Sequence, residues 1–260
     1  METGKERYEK ETRKWLRNLP WAALEEWGRS DQHLGVEPPL LEKAIPDGAK
    51  RIDLVPADQT GVDAPSLTRA ISERRSRRKF TEEELSLEDL SYLLWATQGI
   101  REIHPKRVHA FRTVPSGGCR HPFETYLFIH RVEGVPVGLW RYSALEHALI
   151  SIWDQWPIDA PSLTEACNGQ SWIDSAAVTF VWAVIPYRTE WRYGPDSLKD
   201  ILLSCGHVCQ NLYLACESIG AGTCAVVAYD QEKMDALLGI DGFDELALYV
   251  APVGKVDLGG

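Results

Sequence analysis

The sequence lacks an apolar run long enough to cross a membrane. A membrane-spanning helix needs about 20 consecutive apolar residues, and no segment of the 260 residues approaches that length. Residues 1–14 are mostly polar and contain no apolar stretch like that of a secretory signal. We therefore expect a cytoplasmic protein without a membrane partner.

The sequence also lacks an excess of basic side chains. It contains 28 lysines and arginines against 38 aspartates and glutamates, so the formal net charge is -10 at pH 7. Proteins that bind nucleic acids normally present a basic surface to the phosphates. The composition therefore argues against a nucleic-acid partner.

No clear catalytic triad or metal constellation can be found in the sequence either. Cys205, His207 and Cys209 come nearest to a metal site, but residues two positions apart on a helix point about 200° apart. The six cysteines are Cys119, Cys167, Cys205, Cys209, Cys216 and Cys224. We interpret them as reduced, small core residues and expect no metal ion.

The patterning divides the chain into an N-terminal extension, residues 1–64, and a body, residues 65–260. The extension opens with an amphipathic helix that carries Trp15, Trp21 and Trp27. The segment from Val36 to Pro65 is rich in proline and has no regular period, which indicates an extended arm that packs against the body or a partner subunit. A partly disordered leader is the alternative interpretation.

Three helices can be predicted in the body. Ser66 is the N-cap of a short helix that ends at an arginine cluster. The residues from Ser86 to Asp89 have capping-box spacing and begin a second helix, which stops at Gly99. The longest helix begins near Ser197, carries apolar residues at a sustained i, i+3, i+4 spacing and ends at Gly220.

Apolar, β-branched and aromatic runs predict the strands. They extend over residues 126–130, 137–142, 178–185, 223–228 and 246–250. Helices and strands alternate without a regular βαβ order, which favours an α+β layer architecture over a doubly wound one.

The segment Gly220–Ala225 matches the spacing of a dinucleotide glycine fingerprint. That motif requires a strand to enter the turn and a helix to leave it, since the helix N-terminus binds the pyrophosphate. Here a helix enters and a strand leaves. We therefore reject a dinucleotide site and interpret Gly220 as the end of the long helix.

Four arginines within five residues, Arg74–Arg78, are the main candidate for binding an anion. Guanidinium groups bind phosphate oxygens in a bidentate manner, and the Ser76 hydroxyl can add a hydrogen bond. The alternative is a solvated basic stretch paired with Glu82–Glu84. The small residues of Pro115–Gly118 predict a loop whose backbone can approach a flat ligand closely, although an ordinary turn has the same composition.

Four sequence blocks together resemble the flavin-dependent nitroreductase superfamily, and within it the branch of the SagB and ThcOx dehydrogenases. The blocks are Arg74–Arg78, Pro115–Glu124, Gly206–Leu212 and Leu248–Gly254. The resemblance extends over about residues 66–256. It implies an α+β fold with a central mixed or antiparallel sheet flanked by helices, and a homodimer that binds FMN at the subunit interface.

The resemblance also implies roles for individual residues. Those that would hold the FMN phosphate and ribityl chain are Arg74, Arg75, Ser76, Arg78 and Lys255. Those that would line the flavin ring from the other subunit are Pro115, Ser116 and Gly117. The backbone of Val226, Val227 and Ala228 would lie beside the flavin N5 edge, and Arg120 would lie near the pyrimidine end.

The chain departs from the family at the position of a Lys-Tyr pair that azoline-oxidising members use for proton removal. Here Arg192 and Tyr193 occupy the comparable stretch. Tyr193 can donate or accept a proton, whereas Arg192 stays protonated and is limited to an electrostatic role. Trp191 and Tyr193 could form an aromatic wall for a planar substrate or be ordinary core residues.

The resemblance therefore implies an FMN oxidoreductase in which the flavin performs the hydride transfer. The substrate is expected to be small or planar, such as a nitroaromatic or a quinone, with NAD(P)H as a possible electron donor. One alternative is an azoline dehydrogenase that acts on modified peptides. Another is a flavin-binding protein without catalytic activity.

Overall fold

The computed structural model describes residues 16–17, 28–106, 108–153 and 160–257. The helices are α1 (Asp31–Leu34), α2 (Leu67–Glu73), α3 (Leu87–Gln98), α4 (Leu163–Ala166), α5 (Tyr187–Tyr193), α6 (Ser197–Ser218) and α7 (Gln231–Leu238). The strands are β1 (Arg51–Asp53), β2 (Ile100–Ile103), β3 (Ala110–Arg112), β4 (Phe123–Ile129), β5 (Gly138–Ser143), β6 (Ala148–Trp153), β7 (Val178–Val184), β8 (Ala221–Thr223) and β9 (Leu246–Lys255). The predicted opening helix with Trp15, Trp21 and Trp27 lies outside the described residues.

Seven strands form one antiparallel sheet in the order β1-β6-β5-β4-β7-β9-β8. Every residue of β4 and β7, the two strands at its centre, is buried. Both faces of these strands are covered, which explains why they appear in the sequence as continuous apolar runs. The predicted α+β class is confirmed, and the sheet is antiparallel.

The long helix α6 packs on the sheet through the apolar stripe that its sequence predicts. Ile201, Val208 and Leu212 are at most 5% exposed and belong to the main core together with β4, β7 and β9. The thiols of Cys205 and Cys209 lie in the same core, and burial raises the pKa of Cys209 to about 12. All six cysteines are free, and only Cys119 is not buried.

The helix ends also agree with the sequence. Ser86 caps α3 in a capping box with Asp89. Helix α6 ends at Ser218, Gly220 has a φ of 63°, and β8 begins at Ala221. A helix therefore enters the glycine-rich turn and a strand leaves it, as the sequence predicts. This is the reverse of the order that a dinucleotide-binding glycine motif requires.

The described part of the arm packs against the body. Strand β1 pairs with β6 at the edge of the sheet, with Ile52 opposite Leu149. Leu41 and Leu54 are 8% and 6% exposed. The sequence did not reveal β1, because three residues are too few to show an alternating pattern. The division of the chain after residue 64 stays a prediction.

The buried carboxylate of Glu124 joins three parts of the fold. It accepts hydrogen bonds from Arg141 of β5 at 2.8 Å, from Arg188 of α5 at 2.5 Å and from the backbone N–H of Lys43 in the arm at 2.8 Å. All three side chains of the cluster are at most 3% exposed. Burial alone would raise the pKa of Glu124, but Arg188 and Arg141 outweigh it and hold that pKa below its usual value.

We predict that Glu124→Gln strongly destabilises the protein. The change removes one charge from a buried cluster and leaves two guanidinium groups without their counter-charge, which costs about 3–5 kcal/mol of unfolding free energy. Urea denaturation followed by tryptophan fluorescence measures this loss.

Glu146→Gln is the matched control. Glu146 is half exposed and pairs with Arg51 at 3.2 Å on the surface, so its replacement should change the unfolding free energy by less than about 1 kcal/mol. Equal losses in the two variants would contradict the structural role of Glu124.

Candidate functional site

The arginine cluster directly follows α2 and is fixed against strand β8. Arg74 is the C-cap of α2 and has an extended conformation, with φ and ψ of -51° and 126°. Ser76 forms a parallel bridge with Thr223, and the Arg77 N–H donates to the Thr223 carbonyl at 2.9 Å. Successive side chains of an extended segment point to opposite sides, so the cluster has two faces.

One face consists of Arg74, Ser76 and Arg78, and we call it the arginine face. The Arg74 guanidinium lies 5.3 Å from the ring centre of Tyr213, and the Ser76 hydroxyl lies 3.3 Å from the Tyr213 hydroxyl. Arg78 lies 5.9 Å from the ring centre of Trp172. Two cations and a hydroxyl are therefore held beside two aromatic rings.

Arg75 and Arg77 contribute to a different cleft. That cleft has a volume of about 610 Å³ and is also lined by Arg69, Glu73 and Glu217. The stem of Arg77 packs so closely on Gly222 that a Cβ there would lie 2.6 Å from the Arg77 Cδ. The structure thus separates Arg75 from the other predicted phosphate ligands.

The arginine face has no internal counter-charge among the described residues. Neither Arg74 nor Arg78 forms an ion pair there. The nearby acids Glu73 and Glu82 pair with other arginines, Glu73 with Arg69 at 2.9 Å and Glu82 with Arg131 at 3.9 Å. The interpretation as a basic stretch neutralised by Glu82–Glu84 is therefore not supported. An external anion can fill this role.

Tyr213 connects the arginine face to the backbone segment after β8. Its hydroxyl accepts a hydrogen bond from the Ala225 N–H at 2.9 Å. Val226 pairs with Val250 through two backbone hydrogen bonds, whereas the next residue, Val227, is 73% exposed. The Ala228 carbonyl accepts from the Gln170 side chain at 3.0 Å. The structure thus brings the segment predicted for the flavin N5 edge close to the predicted phosphate ligands.

Sequence reasoning did not identify Tyr213 as a site residue. Its ring lies in the apolar stripe of α6, next to Leu212, and a stripe residue is normally interpreted as core. A tyrosine at a half-buried position needs a hydrogen-bond partner for its hydroxyl. That requirement is the feature of the sequence that could have identified Tyr213.

The predicted loop Pro115–Gly117 is fixed to the first half of α6. His207 donates from Nδ1 to the Pro115 carbonyl at 3.2 Å, and the Ser204 hydroxyl donates to the Ser116 hydroxyl at the same distance. The rise of an α-helix places Tyr213 about 14 Å further along α6 than Ser204. Within one chain, the loop and the arginine face therefore lie at different levels of the same helix.

The predicted catalytic residues Arg192 and Tyr193 lie against this loop at Gly118. Gly118 has a φ of 54°, and a Cβ there would lie 2.7 Å from both the Arg192 Cδ and the Tyr193 hydroxyl. The Arg192 guanidinium is exposed and lies 5.4 Å from the ring centre of Tyr193. Trp191 is a core residue, 6% exposed, whose indole N–H donates to the Val36 carbonyl at 2.9 Å.

Arg120 has contacts within the protein that differ from its predicted flavin contact. Its guanidinium donates to the carbonyls of Arg188 and Val108, both at 2.6 Å, and lies 4.8 Å from the ring centre of Trp191. Burial is the main reason that its pKa is lowered. These contacts join α5 to the segment before β3, and the flavin role of Arg120 stays a prediction.

Lys255 also has partners of its own. Its ammonium group lies 3.0 Å from the Asp89 carboxylate and donates to the Ile219 carbonyl at 2.6 Å, which stabilises the end of α6. A phosphate at this position would have to share Lys255 with Asp89. The phosphate contact of Lys255 stays a prediction.

The described residues contain no cluster of three or more histidine, cysteine or acidic side chains arranged to bind a metal ion. They also contain no helix that is both long and apolar enough to span a membrane.

A sequence profile described as the nitroreductase family matches residues 71–255. The chain belongs to the nitroreductase family. The match includes the arginine face, the loop and α6, so the predicted family is confirmed and the protein is an oxidoreductase of nitroreductase type. The chain is 30% identical over 194 residues to the nitroreductase-family protein MJ1384 of Methanocaldococcus jannaschii, with 75% of this chain and 93% of that protein covered.

A second relative is the trifolitoxin-processing protein TfxB of Rhizobium leguminosarum bv. trifolii. It is 27% identical over 175 residues, which are 64% of this chain and 46% of TfxB. Its similarity agrees with the predicted branch of the SagB and ThcOx dehydrogenases.

Two solved structures share the fold. A nitroreductase-family protein of Ralstonia eutropha JMP134 superposes with a TM-score of 0.66 at 22% identity, with 85% of this chain and 96% of that chain covered. The Escherichia coli microcin synthetase McbBCD complex contains a chain with a TM-score of 0.53 at 18% identity, with 96% of this chain and 86% of that chain covered. The predicted nitroreductase-like fold is confirmed.

The loop leads into His121, which is buried in its neutral form. Its φ is 44°, and its N–H donates to the Ser116 hydroxyl at 3.1 Å. Burial, followed by the charge of Arg112, lowers the pKa of His121 to about 3. In the unfolded chain a histidine has a pKa of about 6.5.

We predict that His121 makes the protein less stable as the pH falls below about 6.5, since only the unfolded chain then takes up the proton. One such histidine contributes a slope of about 1.4 kcal/mol per pH unit. His121→Asn should flatten the slope by that amount, and asparagine tolerates the positive φ.

Urea denaturation at several pH values between 7.5 and 5.0 measures the slope, and the range avoids most carboxylate titration. The pKa values of His109 and His130 are also lowered by burial. Because both residues are present in the wild type and the variant, they contribute equally to the two slopes. Parallel stability profiles for the two proteins would contradict the prediction.

Proposed function

We propose that the protein is an FMN-dependent oxidoreductase whose flavin lies against the arginine face. The supporting observation is that Arg74 and Ser76 contact Tyr213, whose hydroxyl also binds the Ala225 N–H. Arg78 lies on the same face, and Val227 in the segment after Ala225 is exposed. Guanidinium and hydroxyl groups suit a phosphate and a ribityl chain, and an exposed backbone segment can hydrogen-bond the edge of a flat ring.

The donor set fits FMN in charge as well as in geometry. Two guanidinium groups without an internal counter-charge are matched by a phosphate, which carries one to two negative charges at neutral pH. When bound, FMN supplies the hydride chemistry, and the protein must orient the ring and leave one of its faces open. The role of this chain's own residues is to anchor the cofactor, to orient its ring and to exclude water from it.

A second copy of the chain is the proposed partner. Helix α6 is buried on its sheet side, yet Leu198, Leu202 and Leu203 are 40%, 52% and 57% exposed on other sides. A helix that is apolar on more than one side is usually buried on more than one side. Dimerisation through α6 would bring the Pro115–Gly117 loop of one copy to the arginine face of the other.

We propose that the site accepts electrons from NAD(P)H and passes them to a small or planar acceptor such as a nitroaromatic or a quinone. Tyr193 would donate or accept a proton through its hydroxyl, and Arg192 would attract anionic substrates without exchanging its own proton. Both side chains reach the loop at Gly118, which the proposed dimer brings next to the flavin.

An azoline dehydrogenase that acts on modified peptides is the second candidate function. The similarity to TfxB, a trifolitoxin-processing protein, favours it. The arginine in place of the family's lysine argues against an identical mechanism of proton removal, because a guanidinium cannot act as a base near neutral pH.

Anaerobic reduction of the purified flavoprotein by NADH or NADPH, followed by reoxidation with a nitroaromatic, a quinone or an azoline peptide, separates these functions. Turnover with the small acceptors supports the nitroreductase-type activity, and turnover with only the peptide supports the second candidate. A bound flavin that no nicotinamide or substrate reduces would indicate a flavin-binding protein without catalytic activity.

Arg74→Ala and Arg78→Ala are each expected to weaken FMN binding about tenfold to a hundredfold, which corresponds to the loss of one charge-assisted hydrogen bond. Titration of the apoprotein with FMN, followed by flavin fluorescence, measures the affinity. Arg78 is exposed and Arg74 is half-buried, and neither forms an ion pair among the described residues, so the unfolding free energy should change little.

Arg69→Ala is the control, because Arg69 pairs with Glu73 at 2.9 Å in the separate cleft and should leave FMN affinity unchanged. Arg75→Ala tests whether Arg75 is also a phosphate ligand. Because Arg75 lies in that separate cleft, this variant should also leave the FMN affinity unchanged. Unchanged affinity in both the Arg74 and Arg78 variants would overturn the proposed anchor.

Leu202→Glu is expected to convert a dimer into monomers and to lower FMN retention, because a charge placed in an apolar interface remains unpaired. Sedimentation velocity measures the mass. Val137→Glu introduces the same charge at a residue that is 61% exposed in the turn before β5 and should remain dimeric. A dimeric Leu202→Glu variant with full FMN content would rule out this interface.

A further inference from the structure

A segment of the arm, Leu41–Ala44, lies across a cluster of buried charged side chains, and we call this segment the strap. Arg112 donates to the Leu41 carbonyl at 3.4 Å, and Arg141 donates to the carbonyls of Lys43 and Ala44, both at 3.0 Å. The strap therefore forms one wall of the cluster.

The buried cluster contains more positive than negative charge. Its guanidinium groups are those of Arg112, Arg141 and Arg188, and its carboxylates are those of Glu42 and Glu124, all at most 9% exposed. The charges therefore leave an excess of one guanidinium. Burying an uncompensated charge is costly, so such clusters normally contain a counter-charge.

Three donors in the cluster have no hydrogen-bond partner among the described residues. They are the Nε of Arg112, the Nη1 of Arg188 and the Nε2 of Gln98. The three side chains are 5%, 3% and 1% exposed. Buried donors of this kind are nearly always satisfied in folded proteins.

The three donors belong to one neighbourhood. Arg112 donates from Nη1 to the Gln98 Oε1 at 3.0 Å, which places the two side chains in contact. Arg188 binds Glu124, and Glu124 binds the Lys43 N–H of the strap, two residues from the Leu41 carbonyl that Arg112 contacts. The charges of Arg112 and Arg188 act directly on each other, and after burial this repulsion contributes to the lowered pKa of Arg112.

We propose that this cluster binds a small monovalent anion, chloride under cellular conditions, between Arg112, Arg188 and Gln98. An anion satisfies donors without requiring an acceptor in return and supplies the missing negative charge. A water molecule could accept at most two of these hydrogen bonds and would leave the charge excess unchanged. A cleft of about 640 Å³ borders the strap at Leu41 and Lys43.

Urea denaturation of the full chain in sodium chloride and in sodium gluconate, at equal ionic strength, tests the proposal. Gluconate is too large for a buried site. Above the dissociation constant, each tenfold rise in chloride should lower the unfolding equilibrium constant up to tenfold, whereas the gluconate series should stay flat. Identical behaviour in the two salts would overturn the proposal.

Gln98→Glu supplies a carboxylate inside the cluster and should abolish the chloride dependence. Gln59→Glu makes the same chemical change at an exposed residue and should keep it. If Gln98→Glu does not fold, anomalous diffraction from wild-type crystals grown in bromide locates the ion directly. A bromide peak between Arg112, Arg188 and Gln98 supports the site, and its absence there overturns it.

Discussion

The buried carboxylate of Glu124 is the interaction on which the arrangement of the site depends. It fixes Arg188 of α5, Arg141 of β5 and the backbone of Lys43 in the arm. The first of these contacts anchors α5, the helix that carries Arg192. Arg120 also donates to the Arg188 carbonyl, so both the side chain and the backbone of Arg188 hold α5 in place. The candidate substrate side chains therefore rest on a buried electrostatic network.

Helix α6 organises the two halves of the candidate site. Ser204 and His207 hold the loop in its first half, and Tyr213 holds Ser76 and Ala225 in its second half. A single chain thus presents the arginine face and the loop at two levels of one helix. A pair of chains related by a two-fold axis can combine each anchor with the opposite loop, because a two-fold interface repeats every contact.

The sequence predicted the long helix, the capping box at Ser86 and most central strands, because their apolar periodicity and caps are local signals. It did not predict β1, β6 or α7, in which the pattern is short or is set by packing on the rest of the fold. In the site, the motif residues Arg74, Ser76 and Arg78 lie on one face, and their role as FMN ligands stays a prediction. The placement of Arg75 in another cleft and the partners of Lys255 depend on tertiary contacts that spacing alone does not encode.

The central claim is that the arginine face of one copy and the loop of the other form each FMN site. Its most direct test is the FMN content of a heterodimer, purified through two affinity tags, that pairs an Arg74→Ala chain with a Ser116→Leu chain. If the site is shared between subunits, one intact site forms and the heterodimer retains half of the wild-type FMN, although each variant homodimer retains little. A heterodimer as depleted as the two homodimers would contradict the account.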